Sequence, residues 1–175
     1  MTEGRRHLVL VGLMGAGKTT VGKRCAQLLG RSFVDTDAVV ETATGKTVAE
    51  IFFEEGEARF RELERDAVAD VCASPEPLAI GCGGGAVLDP TTRRRLRAVG
   101  LVVWLQASPP VLGRRVGRDR TRPLLGGSPE AVLERLATLR APAYEAASDE
   151  VVDTDGRTVD EVADAVIRKL HAWTG

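Results

Sequence analysis

The chain has 175 residues, a length that fits one domain, residues 1–175, with a sizeable core. A formal net charge of -1 gives no ground for nucleic acid or an anionic membrane as the main partner, and no apolar run approaches the about 20 residues of a membrane span. Cys25, Cys72 and Cys82 are odd in number, far apart and without a Cys-x-x-Cys, which argues against a disulfide framework or zinc site and points to a reducing cytoplasm.

The N-terminal stretch HLVLVG reads as a buried strand. Its apolar run is short and lacks a cleavage site, so no signal peptide is expected. GKTTVGKRCAQLLG follows as a helix ending at Gly30, and SFVDTD as a second strand running through Asp37. TVAEIFFEEG is a short helix with Thr47 and Glu50 at capping-box spacing. EARFRELERDAVADVCA is a longer helix, and LAIGC a strand that runs into three glycines. DPTTRRRLRAV is a helix with Pro90 near its start, and LVVWLQ the most strand-like run in the chain. PPVLGRRVG, SPEAVLERLATLRAPAYEAA and TVDEVADAVIRKLHAW are helices, with EVVDT as the last strand before the third of them. The alternation of strand and helix favours an α/β fold with a parallel sheet covered on both faces.

The strongest local signal is GLMGAGKT, Gly12 to Thr19, between an apolar strand and a helix. Its glycines turn backbone N–H groups toward a polyphosphate at the helix N-terminus. Lys18 reaches the β- and γ-phosphates in such a loop, and Thr19 offers a hydroxyl to Mg²⁺. The chain contains no asparagine, which excludes the Asn-Lys-x-Asp motif of guanine-specific proteins. A small nucleoside-triphosphate kinase acting on a metabolite fits better than a GTPase or motor.

The tetrapeptide Val-Asp-Thr-Asp occurs twice, at Val34–Asp37 and Val152–Asp155. The copies are not a repeat, because the spacing to the following Gly-x-Thr-Val differs. The first lies beside the phosphate loop, so Asp35 is expected to hold Mg²⁺ and Asp37 to meet an acceptor hydroxyl. As consecutive odd positions of a strand, both carboxylates would share one face. The second copy reads as a strand exit followed by a helix cap.

GLMGAGKT, DTD, Phe60-Arg61, GGGAV at Gly83–Val87, RPLL at Arg122–Leu125 and RAPAY at Arg140–Tyr144 together resemble the shikimate kinases over nearly the whole chain. The resemblance implies a P-loop NTPase-type three-layer α/β/α fold with a five-stranded parallel sheet, substrate-binding helices at about 36–63 and a lid loop at about 114–128. It implies ATP-dependent phosphorylation of shikimate, with ATP as co-substrate and Mg²⁺ as cofactor.

By the same resemblance, Asp37, Lys18 and Arg122 are catalytic, with Asp37 taking the proton of the reacting hydroxyl and Arg122 meeting the transferring phosphate. Asp37, Arg61, Gly83, Gly84, Gly85 and Arg140 bind the acceptor, the two arginines taking its carboxylate. Gly12, Gly15, Ala16, Gly17, Lys18, Thr19, Thr20, Arg115, Arg122 and Arg157 bind ATP, with Arg115 packing on adenine and Arg157 at the base edge. Thr19 and Asp35 hold the metal.

Met14 departs from the proline that some members carry. The basic run Arg114–Arg122 lacks interleaved aromatics, so no nucleic-acid role is expected. A monomer is expected, since no apolar stripe is left over. Alternatives are another small-metabolite kinase, such as a gluconate or nucleoside monophosphate kinase, or a silent nucleotide-binding regulator.

Overall fold

The structure is a computed structural model that describes residues 6–117 and 128–174. Five strands form one sheet: β1 (His7–Val11), β2 (Ser32–Asp35), β3 (Leu78–Gly81), β4 (Gly100–Gln106) and β5 (Glu150–Asp153). Their order is β2-β3-β1-β4-β5 and every pairing is parallel. β1 lies at the centre, and all five of its residues are buried. A strand covered on both faces cannot alternate, which is why its sequence reads as a continuous apolar run.

The helices in chain order are α1 (Lys18–Leu29), α2 (Thr36–Thr44), α3 (Val48–Glu55), α4 (Glu57–Cys72), α5 (Pro90–Val99), α6 (Pro109–Gly117), α7 (Pro129–Ala147) and α8 (Val159–Thr174). α1 and α8 cover one face of the sheet, and α5 and α7 the other, with α4 beside α5. α1 approaches closely because Gly22 has no side chain; a Cβ there would overlap the Phe33 ring. α2 and α3 pack on α4 around a second small core of Val40, Ile51, Phe60 and Ala67. This separate core carries the expected substrate-binding region as a unit of its own.

The expected capping box is present on α3: Thr47 accepts from the Glu50 N–H, and Glu50 accepts from the Thr47 N–H. The same pair of bonds joins Thr158 and Glu161 ahead of α8. Asp89 caps α5, with Pro90 in its first turn. The arginine cluster from Arg93 to Arg97 braces the fold in part. Arg93 donates to the Val87 and Leu88 carbonyls, and Arg97 reaches the Ala146 carbonyl and Asp149.

One expectation is overturned. β2 stops at Asp35 rather than running through Asp37, and α2 begins at Thr36. The physical cause is the Asp35 side chain, which accepts from the N–H groups of Asp37 and Ala38 at 2.8 and 3.3 Å. That is an N-cap, and it turns the chain into a helix despite two adjacent valines of modest helix propensity. Burial of Val40 in the small core outweighs the propensity. Asp35 and Asp37 are therefore related as cap and first helical turn, not as neighbours on one strand face.

Candidate active site

The loop between β1 and α1 starts from three glycines in unusual backbone conformations. Gly12, Gly15 and Gly17 have φ of 148°, 82° and 95°. A Cβ on Gly12 would stand 2.6 Å from the Leu105 carbonyl oxygen, and one on Gly15 2.9 Å from Val116. Gly17 occupies the N-cap of α1 without any side-chain cap, so the helix N-terminus is left for an anion. Ala16 is buried beneath the loop, and Thr20 lies exposed on the cleft. The Lys18 ammonium is held by the carbonyls of Gly12 and Leu13 at 2.7 and 2.8 Å.

Thr19 and Asp35, the two expected metal residues, meet directly: the Thr19 hydroxyl donates to Asp35 Oδ2 at 3.2 Å. Asp35 Oδ1 is taken up by the α2 cap, so one carboxylate oxygen faces the phosphate loop. Among the described residues no three acidic, histidine or cysteine side chains cluster as a protein cage for a metal. One hydroxyl and one carboxylate beside a polyphosphate cradle suit Mg²⁺, which keeps waters and shares phosphate oxygens.

The expected acceptor side is organised around Gly83, Gly84 and Gly85, in the turn after β3. Each glycine faces one expected acceptor residue. A Cβ on Gly83 would stand 2.6 Å from Asp37 Oδ1, one on Gly84 3.1 Å from Arg140, and one on Gly85 2.6 Å from Arg61 Cζ. Thr36, fully buried at the start of α2, anchors the turn by accepting from the Gly83 N–H at 3.2 Å. The cleft that unites Lys18, Thr19, Asp35, Asp37 and this turn has a volume of ≈ 320 Å³.

Beside the glycine turn stands Glu64, a helical neighbour of Arg61. Arg61 donates to it at 2.7 Å and to Glu57 at 3.3 Å, and lies over the rings of Phe60 and Phe52 at 5.3 and 6.0 Å. Both ion pairs follow from helical spacing, but only Glu64 is buried, at 3% exposure. Its Oε1 has no hydrogen-bond partner among the described residues and stands 2.8 Å from a Cβ on Gly83. Burial raises the Glu64 carboxyl above its usual range against the opposing pull of Arg61. The signal was the three-residue spacing to Arg61; the burial that distinguishes Glu64 from Glu57 was not in the sequence.

Arg115 joins two regions. It donates to the Gly15 carbonyl at 3.1 Å and to the hydroxyl and carbonyl of Thr154 at 3.2 and 3.3 Å. It thereby links the phosphate loop to the second Val-Asp-Thr-Asp. Arg157 lies beyond that segment and donates to the Asp153 carbonyl. Arg122 and most of the expected lid lie outside the described residues. Cys82, directly before the glycine turn, is fully buried, and burial pushes its thiol well above the usual range.

The model of the shikimate kinase family matches residues 14–171. The chain belongs to the shikimate kinase family. It is therefore a kinase. A shikimate kinase of Salinispora arenicola is 49% identical over 165 residues, covering 94% of this chain and 97% of that protein. A solved shikimate kinase from Acinetobacter baumannii, in complex with shikimate, has a TM-score of 0.90 and 34% identity, covering 97% of this chain and 95% of that one. A gluconokinase from Sinorhizobium meliloti shares the fold, with a TM-score of 0.65 at 22% identity and coverage of 99% and 95%. Family membership accounts for the three layers, the five parallel strands and the phosphate loop together.

Proposed function

We propose that this shikimate kinase family member transfers the γ-phosphoryl group of ATP to shikimate, giving shikimate 3-phosphate for aromatic amino acid (chorismate) biosynthesis. The observation that carries the reading is the glycine turn, whose missing side chains make room for Asp37, Arg140 and Arg61 beside the phosphate loop. The acceptor is a cyclic polyol with one carboxylate. Arg61 and Arg140 supply forked donors for that carboxylate, each contact contributing about 1.5–3 kcal/mol. Asp37 accepts from the ring hydroxyls and takes the proton of the one that reacts. Lys18 and the α1 N-terminus stabilise charge on the transferring phosphate, joined by Arg122. Gly12, Gly15, Ala16, Gly17, Thr19 and Thr20 hold the phosphates, with Arg115 and Arg157 at the base.

Thr19 and Asp35 would hold Mg²⁺, which neutralises charge on the β- and γ-phosphates when bound. A monomer in the cytoplasm completes the reading. It agrees with three buried free cysteines and with the absence, among the described residues, of any helix long and apolar enough to cross a membrane.

The test is MgATP-dependent ADP release with shikimate, gluconate, AMP or no acceptor. Release driven by shikimate alone is the expected result. Release with gluconate or AMP would overturn the acceptor and leave the nucleotide side standing. Bound ATP with no release under any acceptor would favour a silent regulator.

A further inference from the structure

Tyr144 is the only tyrosine in the chain. It sits in α7 one helical turn beyond Arg140 and is 1% exposed. Its ring stacks on Trp104 of β4, with centroids 5.4 Å apart and planes at 28°. Ring packing alone would be served by phenylalanine. The hydroxyl, however, donates to the Gly84 carbonyl at 2.6 Å. A buried O–H left without an acceptor is costly, so this position specifies the bond as well as the ring. Burial pushes the phenol up to about 12 against the opposing pull of Arg140, which keeps the donor protonated at neutral pH.

The carbonyl it holds belongs to the peptide between Gly84 and Gly85. In a trans peptide the C=O and N–H point in opposite directions, so fixing this carbonyl toward α7 turns the Gly85 N–H away from α7. Among the described residues, nothing accepts from the N–H groups of Gly84 and Gly85. A run of three glycines samples many peptide orientations unless something fixes them. Thr36 fixes the peptide before Gly83, the N–H groups of Ala86 and Leu88 hold the carbonyls of Gly83 and Gly85 at 3.1 Å, and Tyr144 fixes the Gly84–Gly85 peptide between them. The helix that carries this second anchor also carries Arg140, whose guanidinium stands 3.1 Å from a Cβ on Gly84.

We propose that Tyr144 is a positioning residue for the acceptor: its hydroxyl locks the Gly84–Gly85 peptide to α7. The glycine turn and the Arg140 guanidinium then meet the acceptor as one preformed unit. Without the hydroxyl the Gly84–Gly85 peptide must be ordered by the acceptor itself, which weakens acceptor binding and leaves the nucleotide side unchanged. The inference rests on the reading of this turn as the shikimate site.

Tyr144→Phe removes the hydroxyl and leaves a ring against Trp104. The expected result is a shikimate KM raised roughly fivefold to tenfold, the effect of one neutral hydrogen bond, with the ATP KM unchanged. Trp104→Phe disturbs the stacking and keeps the hydroxyl; it is expected to lower Tm without raising the shikimate KM. An unchanged shikimate KM in Tyr144→Phe overturns the proposal, and so does an equal rise in Trp104→Phe. Because the chain has one tyrosine, biosynthetic fluorotyrosine places a single fluorine reporter at residue 144. Its NMR resonance should shift on addition of shikimate without nucleotide. A resonance that stays in place at saturating shikimate overturns the proposal even if Tyr144→Phe does not fold. Turnover of the unsubstituted protein separates the two readings. Its absence with shikimate removes the acceptor assignment and the proposal together, whereas turnover with an unaltered KM in Tyr144→Phe removes the proposal alone.

Discussion

The two Val-Asp-Thr-Asp segments end the two edge strands of one sheet, β2 on one side and β5 on the other. Locally they are one device. In each, Oδ1 of the first aspartate accepts from the N–H two residues on, at 2.8 Å for Asp37 and 2.9 Å for Asp155. In each, the threonine is buried and its hydroxyl oxygen accepts a bond from a distant element: Gly83 N–H for Thr36, Arg115 for Thr154, both at 3.2 Å. They part at the second aspartate. Asp155 accepts from the Ser108 N–H through both oxygens, at 3.0 and 3.2 Å, at the start of α6. Asp37 instead stands against the glycine turn in the cleft of the phosphate loop. The neighbouring strand makes the difference: β3 leads into Cys82 and three glycines, β4 into Ala107, Ser108 and Pro109. A tetrapeptide fixes its own local turn, and the adjoining loop decides whether its last carboxylate has chemistry to do.

Breaking the likeness at that carboxylate should give the largest contrast. Asp37→Asn is expected to lower kcat by about 10²–10⁴ while ATP still binds, whereas Asp155→Asn keeps an acceptor for Ser108 and should leave turnover nearly intact. Steady-state kinetics with nucleotide titration check both; unchanged turnover in Asp37→Asn would remove that residue from the mechanism. The glycines come next. In Gly83→Ala the new Cβ must displace Asp37 or Glu64, and kcat/KM for shikimate should fall by about a hundredfold. Gly156→Ala has open space but a φ of 67°, so it should cost about 1 kcal/mol of stability and no activity. Thermal melts beside acceptor titrations tell these apart. The smallest contrast is in the threonines. Thr36→Val removes the acceptor for the Gly83 N–H, and Thr154→Val one acceptor for Arg115; each costs about 1 kcal/mol. The first should raise the shikimate KM and the second the ATP KM. A shared effect on both constants would show the two edges to be coupled rather than separate.

The phosphate loop, the Thr47–Glu50 capping box and the alternation of strands and helices along the chain were legible because each depends on residues close in sequence. α2 was not, since alternation through Val34 and Thr36 suggests a longer strand, and the helix that the Asp35 cap starts is held by packing on α4. Glu64 and Glu57 stand at equivalent helical spacings from Arg61, and only burial separates them. Tyr144 could be recognised within its motif, but its bond to Gly84 spans 60 residues.

By itself, then, the sequence determined the α/β alternation and the polyphosphate cradle. Those are properties of short runs, set by side-chain periodicity, glycine conformational freedom and helix capping. Only the tertiary structure decided which glutamate beside Arg61 is buried against the glycine turn, and what fixes that turn. Such contacts join segments tens of residues apart, brought side by side by parallel strand pairing. The site lies at the carboxyl ends of the strands, where these separate loops converge.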